Sequence, residues 1–152
     1  PNRLVGRNRE EMSEMAEFDA DTLEKQIQWD DPKGDHFLKA VEYLKLLTSL
    51  SHAEILVDRL ESQSVLDYAY PGDILRASGL NPLRQTNSQL LAAIRRIRCK
   101  HKITIPILLQ ASDKSRVHIV SGFEGICAAY YFDPSSPIPY ICTAWETGAE
   151  TC

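Results

Sequence analysis

One stretch limits this chain more than any other. Residues 73–102 read DILRASGLNPLRQTNSQLLAAIRRIRCKHK. Ile74, Leu75 and Ala77 predict a short helix that stops at Gly79, where a residue without Cβ can adopt the left-handed conformation of a helix end. Leu80-Asn81-Pro82 then breaks the chain, and a second helix is expected from about Leu83 or Thr86 to Cys99. With Leu90 at the centre of its inward face, Leu83, Ile94 and Ile97 fall within about 50° and Leu91 borders them. The opposite face carries Gln85, Ser88, Gln89, Ala92, Arg95, Arg96 and Cys99, with no acid among them.

The net charge of −4 conceals a split. Residues 10–73 hold sixteen Asp/Glu against five Lys/Arg, and residues 76–120 hold nine Lys/Arg against Asp113 alone. Such asymmetry fits a half that meets a polyanion, or two halves that neutralise each other within one fold. The composition, 43% hydrophobic and 25% charged, is that of a soluble globular protein. No apolar run is long enough to span a membrane, and the polar, charged N-terminus predicts no signal peptide. Cys99, Cys127, Cys142 and Cys152 form no CxxC pair, so the expectation is free thiols in a reducing compartment, cytoplasmic or nuclear, and no zinc.

The first 62 residues read as an acidic helical region. A basic arm at Arg3, Arg7 and Arg9 precedes a weakly patterned segment, and Asp21–Glu24 has the spacing of a helix start. That helix is expected to stop at the breaker Trp29–Gly34. Asp35 is placed to cap the next helix, with Phe37, Ala40, Val41, Leu44 and Leu47 along one face. Ser51-His52-Ala53-Glu54 reads as a capping box for another, with Ala53, Leu56, Val57 and Leu60 as its stripe and His52 at the surface. The pair predicts a helical hairpin. Ser64–Tyr70 reads as a short helix or connector.

After Lys102 the period falls to two. Ile103, Ile105, Ile107 and Leu109 alternate, and Pro106 argues for an edge strand or a bulge. Arg116–Val120, Ile126–Phe132 and Tyr140–Trp145 read as further strands, which predicts an antiparallel meander of three or four. The expected class is α+β, with residues 1–62 helical, 63–146 mixed and 147–152 a loose tail.

Helix, glycine turn, basic helix and strand pair together resemble the winged helix-turn-helix superfamily over about residues 64–132. The resemblance rests on Ile74-Leu75, Ala77, Gly79-Leu80, Leu90-Leu91, Ile94 and Ile97, then on strands at 116–120 and 126–132. It implies a second helix lying in the major groove and a wing touching backbone or minor groove. Gln85, Ser88, Gln89, Arg95 and Arg96 would read bases. Arg84, Lys100 and Lys102 would meet flanking phosphates, with Lys114 and Arg116 on the wing. Gln85 and Ser88 stand where the compact motif has apolar residues, so a longer loop, Leu80–Gln85, is required. The implied function is non-catalytic binding of duplex DNA in transcriptional or replication control, without cofactor. Residues 10–61 would serve oligomerisation or a protein partner.

Two other classes remain open. The order of elements also resembles small barnase-like ribonucleases and toxins, which need a general acid and base with cations about the phosphorane. On a strand Arg116 and His118 point the same way. Glu124 and Tyr130, with Arg95 or Arg98 at the flank, would complete a set acting on RNA. The third class is a protein-interaction module with an acidic helical face. The sequence has no Gly-rich phosphate loop, GxSxG, HExxH or metal-type carboxylate pair.

Overall fold

In a computed structural model of the chain, residues 26–62, 65–111 and 115–145 are described. The basic arm, the start of the helix expected from Asp21, Lys114 and the tail from 147 lie outside them, and residues 26–28, where that helix is expected to end, are not helical.

The helical hairpin is present as α1 (Gly34–Leu44) and α2 (Leu50–Ser62), and the two pack on each other. Both begin earlier than the sequence suggests. Asp35 lies in the first turn of α1 rather than at its cap, and the imidazole Nδ1 of His36 accepts the Lys33 N–H at 2.9 Å. Ser49, not Ser51, caps α2, its Oγ accepting the His52 N–H at 3.2 Å. The earlier start turns His52 inward. It is 3% exposed, with Nδ1 3.0 Å from the Thr48 hydroxyl and its ring edge-on to Trp145. The surface position expected for His52 is therefore corrected.

Two further segments differ from expectation. Trp29–Asp30 forms a short strand, β1, rather than only a helix stop. Ile103 and Ile105 donate their N–H groups to the carbonyls of Gln28 and Asp30, each at 2.9 Å. Val65–Ala69 is a strand, β2, not a helix or connector. Five residues are too few for a period to declare itself.

The predicted helix pair is α3 (Pro71–Ser78) and α4 (Ser88–Arg98). Gly79 ends α3 at φ 72°, the left-handed conformation expected of it. The Asn87 side chain, not Leu83 or Thr86, starts α4. Its Oδ1 accepts the N–H groups of Gln89 (2.9 Å) and Leu90 (3.0 Å). Leu90, Ala93 and Ile97 face the core, and Ile94 is half-buried.

The apolar run after Lys102 divides at Pro106 into β3 (Ile103–Thr104), paired parallel with β1, and β4 (Ile107–Gln110). β5 (Val117–Ser121) follows, with a register shift against β4 between Ile107 and Leu108. Ile126–Phe132, expected as a strand, belongs to a helix, α5 (Phe123–Phe132). Its residues Gly125 to Ala129 are all buried, so the segment is apolar on every side and shows no helical period. The last strand is β6 (Ile138–Ala144).

The four-stranded sheet has the order β2-β6-β4-β5. Its outer pairs are antiparallel, but β4 and β6 run parallel, so it is mixed and not an antiparallel meander. The strand pair expected at 116–120 and 126–132 is replaced by a β4–β5 hairpin. The chain is thus a mixed α and β structure in three layers. α1 and α2 cover one face, closing Leu44, Leu56 and Leu60 over Ile107, Leu109 and Ile141. α3, α4 and α5 cover the other, closing Ile74, Leu90, Ile97 and Ile126 over Leu108 and Ile138. No helix among the described residues is long and apolar enough to cross a membrane.

Candidate nucleic-acid interface

The cationic side chains gather around the C-terminal half of α4. Arg95, Arg96 and Arg98 occupy its last turn, where positive charge opposes the negative end of the helix dipole. All three are exposed, and among the described residues none pairs with a carboxylate. The helix closes on Lys100 at φ 63°, with the His101 N–H donating to the Arg96 carbonyl at 2.9 Å. That is the bonding of a glycine-type stop made by a lysine. Lys100 and Lys102 are exposed beyond it. Arg96 also turns back, Nη2 donating to the Lys102 carbonyl at 2.5 Å, which ties the end of α4 to the start of β3.

The positions expected to read bases do not all share one surface. Ser88 and Gln89 are exposed in the first turn of α4, whereas Arg84 and Gln85 precede the helix, exposed in the loop after α3. That loop is fixed to α5 at Leu83. The Leu83 N–H reaches Cys127 Sγ at 3.4 Å, and its carbonyl accepts the Tyr131 hydroxyl at 2.8 Å. Both α3 and α4 pack chiefly on α5. Gln89, Ala92 and Arg96 do not stand on a free convex face. They form one wall of a crevice of about 660 Å³.

The other walls join Lys102 and Glu124, both singled out in the sequence, to residues it did not mark, among them His36, Lys39 and Thr104. His36 and Lys39 come from α1, Lys102 and Thr104 from the β3 strand region, and Ser121–Gly125 from the end of β5 and the start of α5. With the His36 Nδ1 accepting the Lys33 N–H, its Nε2 lies 3.3 Å from the Thr104 hydroxyl. Gly122 caps α5 at φ 88° and no side chain caps that end, so the first N–H groups of the helix are open there. Lys39, Arg96 and Lys102 stand against one carboxylate, Glu124. Three cations beside an uncapped helix start make a region of positive potential suited to phosphate. The visible trace of this in the sequence is Ser121-Gly122-Phe123-Glu124-Gly125, a two-glycine loop ahead of an apolar run. Lys39 carried no such signal, because its helix arrives from the far layer.

The residues proposed for ribonuclease chemistry are dispersed. His118 pairs with Leu109 across β4–β5 and shares the sheet face covered by α1 and α2. Its ring lies 6.3 Å from that of Trp145. Burial, then the charge of Arg116, lowers its pKa. Glu124 begins α5 on the other face, in the crevice. Tyr130, half-buried, packs edge-on against Tyr131 and lies beside Gly72 of α3. Arg116 is exposed just before β5. Cys127 is buried and its thiol pKa is raised, by burial first, while Cys99 is exposed. Among the described residues no three of His, Cys, Asp and Glu converge as a metal site would require. Comparison with protein-family models, with curated proteins and with solved structures found no match.

Proposed function

We propose that the protein is a non-catalytic nucleic-acid-binding protein, with duplex DNA as its ligand and transcriptional or replication control as its setting. The observation that carries this reading is the convergence of Arg96, Lys102 and Lys39 with the open start of α5 on one crevice. A backbone phosphate seats there, held by two or three cations and by helix N–H groups. Arg95, Arg98 and Lys100 extend the positive surface beyond it, and Ser88 and Gln89 supply the groups able to touch base edges. Arg84 and Gln85 in the loop before α4 and Arg116 before β5 are further exposed groups that the reading assigns to the ligand. The order α3, turn, α4, then the β4–β5 hairpin supports the winged-helix-like part of the reading, with the hairpin alongside the duplex. Residues 10–61 remain the surface assigned to a second copy or a protein partner.

A gel shift against mixed duplex DNA and RNA at two salt concentrations tests this directly. Retention of DNA that falls as salt rises, with the RNA recovered intact, is the expected result. Arg96→Ala weakens binding by about 1–3 kcal/mol at preferred sites if it touches bases, and equally on every sequence if it touches phosphate alone. Absence of any retention at low salt removes the proposal, and shortened RNA replaces it with a nuclease.

A further inference from the structure

A second crevice, of about 570 Å³, lies beside the β2 edge of the sheet and shares no described residue with the cationic one. Three aromatic side chains from three elements line it: Trp29 of β1, Tyr68 of β2 and Phe132 at the end of α5. Among the described residues none of these rings stacks on another; Trp29 is half-buried and also packs against both hydrophobic layers, while Tyr68 and Phe132 are exposed. The charged group among the described lining residues is Asp133, and no lysine or arginine accompanies it. Its carboxylate accepts the hydroxyl and N–H of Ser135 and the hydroxyl of Ser136, at 2.7, 3.1 and 2.6 Å. These bonds hold it below the usual carboxylate range and therefore ionised.

Aromatic faces carry negative potential, and the carboxylate adds a full charge. A metal ion would need several free oxygens, and here one carboxylate already accepts three hydrogen bonds. A simple ammonium would need acceptors for its N–H groups, which ring faces supply poorly. A quaternary ammonium has no N–H to satisfy, is large and weakly hydrated, and is held by ring faces and one nearby charge. We propose that this crevice binds an organic quaternary ammonium group, carried either by a choline-type small molecule or by a trimethylated lysine of a peptide.

The test follows the indole N–H resonance of Trp29 while the intact protein is titrated with tetramethylammonium chloride at constant ionic strength. A Trp29→Phe sample distinguishes that resonance from the one of Trp145. Neopentyl alcohol, which has the same branched centre on carbon, no charge and one added hydroxyl, is titrated in parallel. A saturable shift with tetramethylammonium is expected, with affinity for the alcohol roughly tenfold lower or worse. Tyr68→Ala and Asp133→Asn each weaken the ammonium by roughly three- to tenfold. Tyr68 is 59% exposed, so its truncation leaves the fold intact, as a circular dichroism melt verifies. Tighter binding of choline assigns the small-molecule source, and tighter binding of a trimethyllysine peptide assigns the peptide. Equal affinity for the uncharged alcohol, no saturable shift, or weaker binding of both choline and the peptide than of tetramethylammonium overturns the proposal.

Discussion

The hydroxyl of Tyr131 donates to the carbonyl oxygen of Leu83 at 2.8 Å, across 48 residues of chain. This bond, with the Leu83 N–H on Cys127, fixes the loop that leads into α4 and so sets where the arginine-bearing helix begins. Tyr131→Phe keeps the ring and removes the donor, leaving a carbonyl without its partner. The expected loss is about 1 kcal/mol in stability, read as a lower urea midpoint at unchanged slope. An unchanged midpoint would mean that the loop holds without this bond.

Gly122 and Gly125 begin the same helix but differ in what they tolerate. A Cβ on Gly122 would stand 2.9 Å from the Cα of Pro106, at a backbone φ of 88°. Gly122→Ala is expected to destabilise by about 1–3 kcal/mol and to distort the crevice. A Cβ on Gly125 meets Ile103 Cδ1 at 3.7 Å, an ordinary contact, so Gly125→Ala stays within about 1 kcal/mol of the parent. Thermal melts of both variants, showing the reverse order, would refute the assignment of the tight approach to Gly122.

Lys100 stops α4 in a conformation that costs an L side chain energy. Lys100→Gly should therefore raise stability by about 1 kcal/mol while removing one cation from the proposed phosphate surface. Denaturation midpoint and the salt dependence of DNA retention move in opposite senses: a more stable protein with a shallower salt slope. A variant that is more stable and binds with the parent's slope would place Lys100 outside the contact surface.

His118 gives the fold a dependence on pH. Its pKa is lowered from 6.5, by burial first and then by Arg116. The unfolded chain therefore takes up this proton before the folded one does. The contribution to stability is fully present above pH 6.5, is lost as pH falls below it, and levels off once the folded pKa has been passed. Urea midpoints between pH 8 and 4 should converge for the parent and His118→Gln on the acid side. Parallel curves would show that His118 is not the group responsible.

Four helices were legible because each has a period and an end. α1 and α2 carry buried stripes that run to Leu44 and Leu60, and α3 ends on Gly79. α5 was not legible, because burial on all sides removes the contrast by which a helix is read. The mixed sheet was hidden for another reason. Pro106 looked unfit for a central strand, yet it sits just before β4, offers its carbonyl to the Ile141 N–H at 3.1 Å and lies against Gly122. Nothing local announces that Ile107 will pair with Ile141. Within the candidate site, Arg96 and Lys102 were visible as a charge cluster. Lys39 and the start of α5 reached it only through packing between layers.

The position of β6 bears on how the protein is made. β6, the last of the described strands in chain order, is inserted between β2 and β4, so the two sides of the sheet have no hydrogen-bonded ladder to each other until residues 138–144 leave the ribosome. Until then β2 and the β4–β5 hairpin each present an open backbone row, and both hydrophobic layers lack Ile138 or Ile141. The sheet is thus completed in one late step, by the emergence of β6, rather than strand by strand, and the nascent chain passes through a window in which it depends on being kept apart from its neighbours.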